Sequence, residues 1–372
     1  MKISLLRTPC VLIDQPTVDR NIDRMQGLAA QHRVHLRPHA KTHKSPDLAL
    51  LQIARGAVGI CCAKLGEAEV FADKVRDIRL PYPLHPSNAD RLLALVDRVR
   101  VSFIVDHLEV ARGWSHALHA AGREVDVLVK VDVGLHRCGI DPHAPDAAEF
   151  VLRVAELRGL RFRGLLSHAG HAYAAASTSD LERIAEDEAR VLTELRDEVI
   201  NRGVPVDEIS VGATPTARFS AALPGITELR PGNYVYYDRM QVMLGSADWG
   251  DCALTVLARV VSRPAPDRLI LDAGSKTLTS DLVRGGTGAP GYGAVLRAVD
   301  TCIPDDRLVI ERLSEEHAVV RVNGDCPLAP GDLVRVVPNH SCVVSNMVNE
   351  AWMVSGLDAH ERLHIAARGR IA

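Results

Sequence analysis

The chain has 372 residues, of which 47% are hydrophobic and 24% charged, so it can bury a large core and is long enough for two domains. Its formal net charge of -3 comes without a basic stripe or an acidic tail, which argues against a nucleic-acid partner. No apolar run approaches the roughly 18 residues that a membrane helix needs, and no secretory signal opens the sequence, so we expect a cytoplasmic protein. The eight cysteines are scattered without a CxxC pair, and we expect them to be reduced.

Short runs rich in β-branched residues alternate with stretches of helical spacing between residues 34 and 237. The predicted strands are VHLRP (34–38), GAVGICC (56–62), IRLPY (78–82), VSFIVD (101–106), VDVLVKVDV (125–133), FRGLLSH (162–168), EISVG (208–212) and ELRPGNYVYY (228–237). The run 125–133 is apolar almost throughout, which is typical of a strand covered on both faces. Eight such units favour a (β/α)8 TIM barrel over an open doubly wound sheet, and no Gly-x-Gly-x-x-Gly follows the first strand.

After about residue 245 the pattern changes to short strands separated by Pro, Gly, Asp and Asn, with no convincing helix between them. The predicted strands there include DRLILDAG, EEHAVVRV, GDLVRVVPN and VVSNMV. The sequence therefore predicts an α/β barrel over residues 15–242 and an all-β domain over residues 243–372. The run PCVLID (9–14) precedes the first barrel helix, and we expect residues 1–14 to join the β domain.

The segment RPHAKTHKS (37–45) places two lysines beside two histidines, in a chain where only seven of 44 lysine and arginine residues are lysines. Barrel enzymes carry their chemistry at the C-terminal ends of the strands, and Lys41 follows the first strand. If that strand continues, His39, Lys41 and His43 share one face. One interpretation of this segment is a solvated basic turn. The other is an amine whose pKa is lowered by neighbouring cations and partial desolvation, as a Schiff base with pyridoxal phosphate requires.

Other barrel strands also end in polar groups. VGATPT (211–216) and RPGNYVYYD (230–238) are glycine-containing turns after the last two strands, where barrels commonly bind phosphate. The fifth strand ends in VDVGLHRCGI, which places Arg137 where it could bind the phenolic oxygen of the cofactor. The sixth ends in SHAGHAY, which offers three side chains for the pyridine ring: His168, His171 and Tyr173. Taken singly, each feature also fits a plain loop, a surface arginine or a structural histidine.

The segment PNHSC contains His340 and Cys342, which would share a face on a strand, a spacing suited to two ligands of one metal. Two ligands are few and chance pairs are common, so the motif alone is weak. A thiolate with an imidazole favours zinc, whereas a carboxylate suits manganese or magnesium.

Nine motifs stand in fixed order: TPCVLID, RPHAKTHKS, VDVGLHRCG, LLSHAGHAY, SVGATPT, TELRPGNYVYYD, DAGSKTL, SEEH and PNHSC. Together they resemble the signatures of the fold-type III pyridoxal-phosphate enzymes, in particular the eukaryotic-type D-serine dehydratases and the metal-dependent D-threonine aldolases. The resemblance extends from about Thr8 to the C-terminus. It implies an alanine-racemase-like barrel followed by a β domain, and a homodimer whose active site lies where one subunit's barrel meets the other's β domain.

The same resemblance implies roles for individual residues. Lys41 would bind the cofactor covalently and Arg137 would contact its phenolic oxygen. Further cofactor contacts would be made by His168, Tyr173, Thr214, Gly232 and Asn233. His340 and Cys342 would hold a divalent metal, zinc before manganese or magnesium, with water or substrate completing the shell. The aldolase branch generally has His-x-Asp at this place and the dehydratase branch His-x-Cys. No aspartate is identified for the pyridine nitrogen, so the ring would be a weaker electron sink and a second electrophile would help.

These assignments predict a lyase that acts on small D-β-hydroxy amino acids and depends on pyridoxal phosphate and a metal. In the dehydratase interpretation Lys41 removes the α-proton and water leaves with help from the metal, giving a keto acid and ammonia. In the aldolase alternative the Cα–Cβ bond breaks to give glycine and an aldehyde. A non-catalytic pyridoxal-phosphate-binding protein resembles the barrel alone. A racemase would need a second base, for which Tyr292 is the only tyrosine after Gly245.

Overall fold

Two sheets, one parallel and one largely antiparallel, divide the chain in a computed structural model that describes residues 1–284 and 288–372. Strand β1 (Cys10–Asp14) comes first and leads into helix α1 (Gln15–His32). The helix begins there because the Asp14 carboxylate accepts the N–H of Thr17 at 3.1 Å and a proline occupies the first turn.

The parallel sheet contains eight strands. They are β2 (His35–Leu36), β3 (Ile60–Cys61), β4 (Asp77–Pro83), β5 (Arg100–Val105), β6 (Val125–Lys130), β7 (Leu160–Leu166), β8 (Glu208–Val211) and β9 (Glu228–Leu229). They neighbour one another in the order β2-β9-β8-β7-β6-β5-β4-β3. A parallel bridge between His39 and Cys61 joins the two ends, since the Ala40 N–H donates to the Cys61 carbonyl at 2.8 Å. The predicted eight-stranded barrel is therefore confirmed.

Helices cover the outside of this barrel. They are α2 (Pro46–Ala54), α3 (Leu65–Phe71), α4 (Ala89–Val96), α5 (Leu108–Ala120), α6 (Ala147–Ala155), α7 (Thr178–Asn201) and α8 (Ala217–Ser220). Helix α9 (Arg239–Met243) instead lies next to the C-terminal region, since the Arg239 N–H donates to the Pro338 carbonyl at 3.1 Å. All six residues of β6 are buried, as the apolar run predicted for a strand covered on both faces. Within the described ranges, no helix combines the length and the apolar composition that crossing a bilayer requires.

The second sheet has nine strands and includes β1. The others are β10 (Leu254–Ala265), β11 (Arg268–Leu271), β12 (Ala294–Leu296), β13 (Leu308–Leu313), β14 (Ala318–Val322), β15 (Leu333–Val337), β16 (Glu350–Ser355) and β17 (Asp358–His364). Their order is β11-β14-β13-β12-β15-β10-β1-β16-β17. Strand β1 pairs antiparallel with β10 and parallel with β16, so the N-terminal strand lies in the sheet of the C-terminal region.

The prediction that no helix follows residue 245 was wrong. The C-terminal region contains α10 (Ser275–Leu278) and α11 (Ser341–Met347), and α11 replaces the strand predicted for VVSNMV. The carboxylate of Asp238 accepts both the backbone N–H of Ser341, at 3.0 Å, and its hydroxyl, at 3.3 Å. An acceptor 103 residues away thus stabilises the helix start, although the valines of the segment favour a strand locally.

Several predicted strands are shorter than expected, among them GAVGICC (56–62), which is reduced to Ile60–Cys61. The strand VHLRP ends at Leu36, before Pro38, and the strand ELRPGNYVYY ends at Leu229, before Pro231. Because proline has no N–H to donate, each proline removes one hydrogen bond from the ladder, although the His39 N–H still donates to the Pro231 carbonyl at 3.0 Å. The chain beyond each proline is therefore free to form the turns that approach the end of the barrel.

A buried ionic network occupies the opposite end of the barrel, where the strands begin. Glu228, the first residue of β9, accepts hydrogen bonds from Nε of Arg37 at 2.8 Å and from the guanidinium of Arg79. Arg79 also binds Glu208 at 2.8 Å. Because each buried charge has partners of opposite sign, the network fills the barrel floor without leaving an uncompensated charge.

Candidate active site

A cavity of about 330 Å³ lies at the C-terminal ends of the barrel strands, within the size range of small-molecule sites. All nine residues that the sequence indicated as site residues line it: Lys41, Arg137, His168, Tyr173, Thr214, Gly232, Asn233, His340 and Cys342. Four polar lining residues were missed: Thr42, Arg230, Asp281 and Arg284. His39, which was expected on the face of Lys41, lines the cavity as well. Among the described residues, the lining does not include His171 or Tyr292, the tyrosine of the racemase alternative.

Lys41 lies in a tight turn between β2 and α2, not on a strand. The Lys44 N–H closes this turn by donating to the Ala40 carbonyl at 2.8 Å. Lys41 lines the cavity, whereas Lys44 forms a buried ion pair with Glu67 at 2.9 Å. The two lysines of RPHAKTHKS therefore have different environments, and only Lys41 is available to a ligand in the cavity.

The prediction that His39, Lys41 and His43 share a face was wrong, because the turn breaks the alternation of a strand. His39 lines the cavity with Lys41, and its Nδ1 accepts the Lys41 N–H at 3.4 Å. His43 points into the core and packs edge-on against Phe71. Burial lowers the pKa of His43 to about 4, so it is a neutral core residue.

Two neutral imidazoles stand in the cavity wall near Lys41. Burial, together with the positive charge of Lys41, lowers the pKa of both His39 and His168 well below the ordinary value. Nδ1 of His168 is hydrogen-bonded to the Gly212 carbonyl, so this nitrogen carries the proton. Both rings can contact a ligand without adding charge to it.

The charge of the cavity lining is mostly positive. Four cationic side chains line it: Lys41, Arg137, Arg230 and Arg284. Asp281 is the only carboxylate among the described lining residues. The guanidinium of Arg230 is fixed by the Ser210 hydroxyl and the Ser167 carbonyl. Such a lining fits ligands that carry phosphate and carboxylate groups.

The turns after β8 and β9 form one wall of the cavity. The buried hydroxyl of Thr214 has no hydrogen-bond partner within the described residues, so it is available to an anionic ligand. A Cβ on Gly232 would stand 3.0 Å from the His39 carbonyl and from the Thr42 hydroxyl, closer than an ordinary contact, so this position favours glycine. These features fit a phosphate held by a hydroxyl and by closely approaching backbone.

Asn233 connects this wall to the C-terminal region. Its amide nitrogen donates to Asp238 at 2.6 Å and to the hydroxyl of Ser341 at 3.0 Å. Since both donors of the amide are engaged, a cofactor phosphate would meet the backbone N–H of Asn233 and not its side-chain amide. The residue thereby holds α11 against the barrel.

His340 and Cys342 lie at the start of α11, and both reach the cavity although they are not on a strand. Burial opposes the charge of the imidazole, but the thiolate of Cys342 and the carboxylate of Asp238 raise the pKa of His340 to about 10. Burial likewise raises the pKa of Cys342, but the positive charge of His340 lowers it below the ordinary value. The two side chains form a pair of nitrogen and sulfur donors suited to a transition metal.

The described residues do not bring a third His, Cys, Asp or Glu into a metal-binding group with this pair. Nδ1 of His340 is 2.7 Å from a carboxylate oxygen of Asp281. Sγ of Cys342 is 3.2 Å from the Thr42 hydroxyl. The donor set therefore fits a metal that has two protein ligands and takes the rest of its shell from other molecules.

Comparison with known families identifies the class of protein that this fold and cavity represent. Residues 13–240 match the alanine racemase N-terminal domain, and residues 253–354 match the putative serine dehydratase domain. The chain belongs to this family of alanine-racemase-like barrels followed by a dehydratase-type β domain. The family and the fold predicted from the sequence are confirmed.

Its relatives carry different activities. The chain is 34% identical to a D-threonine aldolase of an Arthrobacter species, over 97% of this chain and 93% of the relative. It is 30% identical to the D-serine dehydratase of Dictyostelium discoideum, over 95% of this chain and 94% of the relative.

A solved structure is similar over nearly its whole length. The D-threo-3-hydroxyaspartate dehydratase from Delftia sp. HT23 superimposes with a TM-score of 0.90 at 30% identity, covering 98% of this chain and 99% of that chain. Variant structures of D-threo-3-hydroxyaspartate dehydratase replace a histidine and, two positions further on, a cysteine by alanine, the latter in a metal-free form. His340 and Cys342 have the same spacing.

Proposed function

We propose that this protein is a lyase that acts on D-β-hydroxy amino acids with pyridoxal phosphate and a divalent metal, and that its main reaction is dehydration to a keto acid and ammonia. The observation that carries the proposal is that Lys41 and the pair His340–Cys342 face one cationic cavity. The relatives named above, which include D-serine and D-threo-3-hydroxyaspartate dehydratases, support it.

The cavity offers a partner for each part of the cofactor. Lys41 is the amine for covalent attachment to the aldehyde. Thr214, Gly232 and the backbone of Asn233 would bind the phosphate, and Arg137 the phenolic oxygen. His168 and Tyr173 would lie beside the ring. When bound, pyridoxal phosphate supplies an electron sink for negative charge that develops at Cα of the substrate.

The residues of this chain would handle the protons and the substrate. Lys41, once its amine is released, is the base that takes the Cα proton. His39 and His168 stay neutral because they are buried beside cations, so they do not compete for that proton. Among the described lining residues, Arg284 is the remaining cation able to hold the substrate carboxylate. His340 and Cys342 would hold a metal, zinc by the softness of the thiolate, which supplies a Lewis acid to the β-oxygen.

A second candidate reaction is aldol cleavage to glycine and an aldehyde. The 34% identity to a D-threonine aldolase favours it. Both reactions would use the amine of Lys41 and a metal held by His340 and Cys342, so one cavity can serve either. The cysteine at position 342, in place of an aspartate, is the feature of this chain that favours dehydration.

We also infer a homodimer whose partner subunit completes the rim of the cavity. Within one chain the barrel supplies Lys41 and the C-terminal region supplies His340 and Cys342, so the partner is not needed for the metal pair. Leu282, on the loop that carries Asp281 and Arg284, is 55% exposed, which suits a covered position in a dimer.

We place the protein in the cytoplasm. All eight cysteines are free thiols in the structure, and four of them are buried. Unpaired thiols of this kind suit a reducing compartment.

The proposal is tested by product analysis with the purified protein. The protein is incubated with pyridoxal phosphate and then supplied with D-serine or D-threonine, with and without a chelator. Chelator-sensitive formation of keto acid and ammonia supports the dehydratase, and glycine plus aldehyde supports the aldolase. The L-enantiomers serve as controls. Protein that remains colourless with the aldehyde and turns over neither substrate would refute the proposal.

A further inference from the structure

A loop after α10 brings a carboxylate to the candidate metal pair. Asp281 Oδ2 lies 2.7 Å from Nδ1 of His340, although the two residues are 59 positions apart. We propose that Asp281 is the positioning residue that orients His340 for metal binding. This inference rests on the metal site of the proposed function and assigns a role to a residue that the sequence did not single out.

Asp281 is itself held in place on both sides. Its backbone carbonyl accepts a hydrogen bond from Nδ2 of Asn339 at 2.9 Å, and its N–H donates to the Thr279 hydroxyl at 3.2 Å. Asn339 is fully buried and also donates to the Gly291 carbonyl at 2.9 Å. The loop and the residue before His340 are therefore joined directly, so the carboxylate is fixed relative to the imidazole.

The contact determines which ring nitrogen is available. An ionised carboxylate only accepts hydrogen bonds, so Nδ1 of His340 must carry the proton in this contact. The other nitrogen, Nε2, is then the one that gives up its proton and binds the metal. Without Asp281 the ring could rotate, or its proton could move to Nε2, and either change would leave Nε2 unable to bind a metal.

The geometry favours this positioning role over direct ligation. The Oδ2 atom of Asp281 is occupied by Nδ1, and the three residues do not form a metal-binding group in the described part of the chain. A carboxylate that accepts from a metal-bound histidine also increases the electron density that the ring donates. Removal of such a partner typically lowers metal affinity by about 10–100-fold, whereas loss of a ligand costs far more when only two are present.

The experiment measures metal affinity by competition with a chromogenic chelator for zinc, using the full chain loaded with pyridoxal phosphate. Asp281→Ala is expected to bind zinc about 10–100-fold more weakly than the wild type. Asp281→Asn is expected to lose less, because its amide oxygen can still accept the N–H. The matched control is Asp73→Asn, an exposed aspartate that binds Arg98 far from the cavity and should leave affinity unchanged.

Cobalt(II) replaces zinc in a second measurement that separates positioning from ligation. In Asp281→Ala the visible cobalt bands should keep the wild-type positions at saturating metal, since the ligands are unchanged. If the cobalt bands of Asp281→Ala moved from the wild-type positions as far as those of Cys342→Ala, Asp281 would be a ligand, and the inference would be overturned. Wild-type affinity in Asp281→Ala, with an unchanged circular dichroism spectrum, would overturn it as well. A wild-type protein that takes up no metal would instead refute the metal site of the proposed function.

Discussion

The Thr42 hydroxyl and the Cys342 thiol lie 3.2 Å apart, although 300 residues separate them in the chain. Thr42 directly follows Lys41 in the turn after β2, and Cys342 belongs to α11 of the C-terminal region. The contact therefore joins the element that carries the amine to the element that carries the metal pair. It sets the separation of the two groups that the proposed reaction requires.

Thr42→Val is expected to raise the pKa of Cys342. Burial alone raises this pKa, while His340, Lys41 and the Thr42 hydroxyl lower it. Loss of one donor to the thiolate moves the balance toward the neutral thiol. In metal-free protein the pH midpoint for alkylation of Cys342, followed by peptide mass spectrometry, should move to higher pH. Thr193→Val, which removes a helix hydroxyl bound to the Ala189 carbonyl, should leave it in place; equal midpoints for both variants would contradict the prediction.

Lys41→Arg is expected to abolish covalent cofactor binding, because a guanidinium does not form a Schiff base with the aldehyde as an amine does. Turnover should fall by at least about 10²–10⁴-fold, the usual contribution of a general base. Borohydride treatment of wild-type holoenzyme should place the cofactor mass on the peptide that contains Lys41. Lys64→Arg, at an exposed lysine of the same barrel, is the control and should retain both properties. A visible cofactor spectrum in Lys41→Arg would count against the assignment.

Arg284→Gln is expected to weaken binding of the carboxylate substrate with little change in cofactor content. Arg284 lines the cavity but is exposed at its rim, so the effect on KM should be modest, about two- to five-fold. The increase in KM should be larger for 3-hydroxy-D-aspartate, which carries two carboxylates, than for D-serine. Steady-state kinetics at low ionic strength measure both KM values. Arg158→Gln, at an exposed arginine two residues before β7, is the control, and identical KM values in all three proteins would exclude a role for Arg284.

Much of the site could be predicted from the sequence because its residues lie in the loops that follow barrel strands. Lys41, Arg137 and Thr214 stand at such positions, and the parallel sheet brings those positions together. Asp281 and Thr42 were not found, since their roles arise from contacts across 59 and 300 residues. The sequence around each shows only a polar loop residue, so nothing local indicates the partner.

The fold likewise could be predicted where the signal is local and could not be predicted where it depends on distant contacts. The number and order of the barrel strands follow from hydrophobic runs that recur with helices between them. The helix α11 could not be predicted, because Asp238 stabilises its start from another part of the chain. Local propensity, set by the valines of the segment, favoured the strand that the structure does not contain.

Glu228 on the barrel floor is expected to make stability depend on pH. Burial raises the pKa of this carboxyl, but Arg79, Arg37 and Arg230 outweigh it and hold the pKa at about 2, below the ordinary 4.5. Because the folded-state pKa is lowered, the stabilisation is complete above about pH 4.5 and is lost as the pH falls toward 2. The difference corresponds to about 3 kcal/mol at 1.36 kcal/mol for each pH unit.

Glu228→Gln is therefore expected to lower the free energy of unfolding at pH 7 by about 3–5 kcal/mol, since it removes the buried carboxylate that Arg37 and Arg79 share. Its stability should also fall less steeply than that of the wild type between pH 5 and the lowest pH at which both remain folded. Urea titrations followed by circular dichroism measure both quantities. Glu182→Gln, at an exposed position on α7, should match the wild type throughout. Two outcomes would contradict this prediction. Glu228→Gln could be as stable as the wild type at pH 7, or the stability of both proteins could fall equally steeply with decreasing pH. Either result would show that the ionic network does not stabilise the barrel floor.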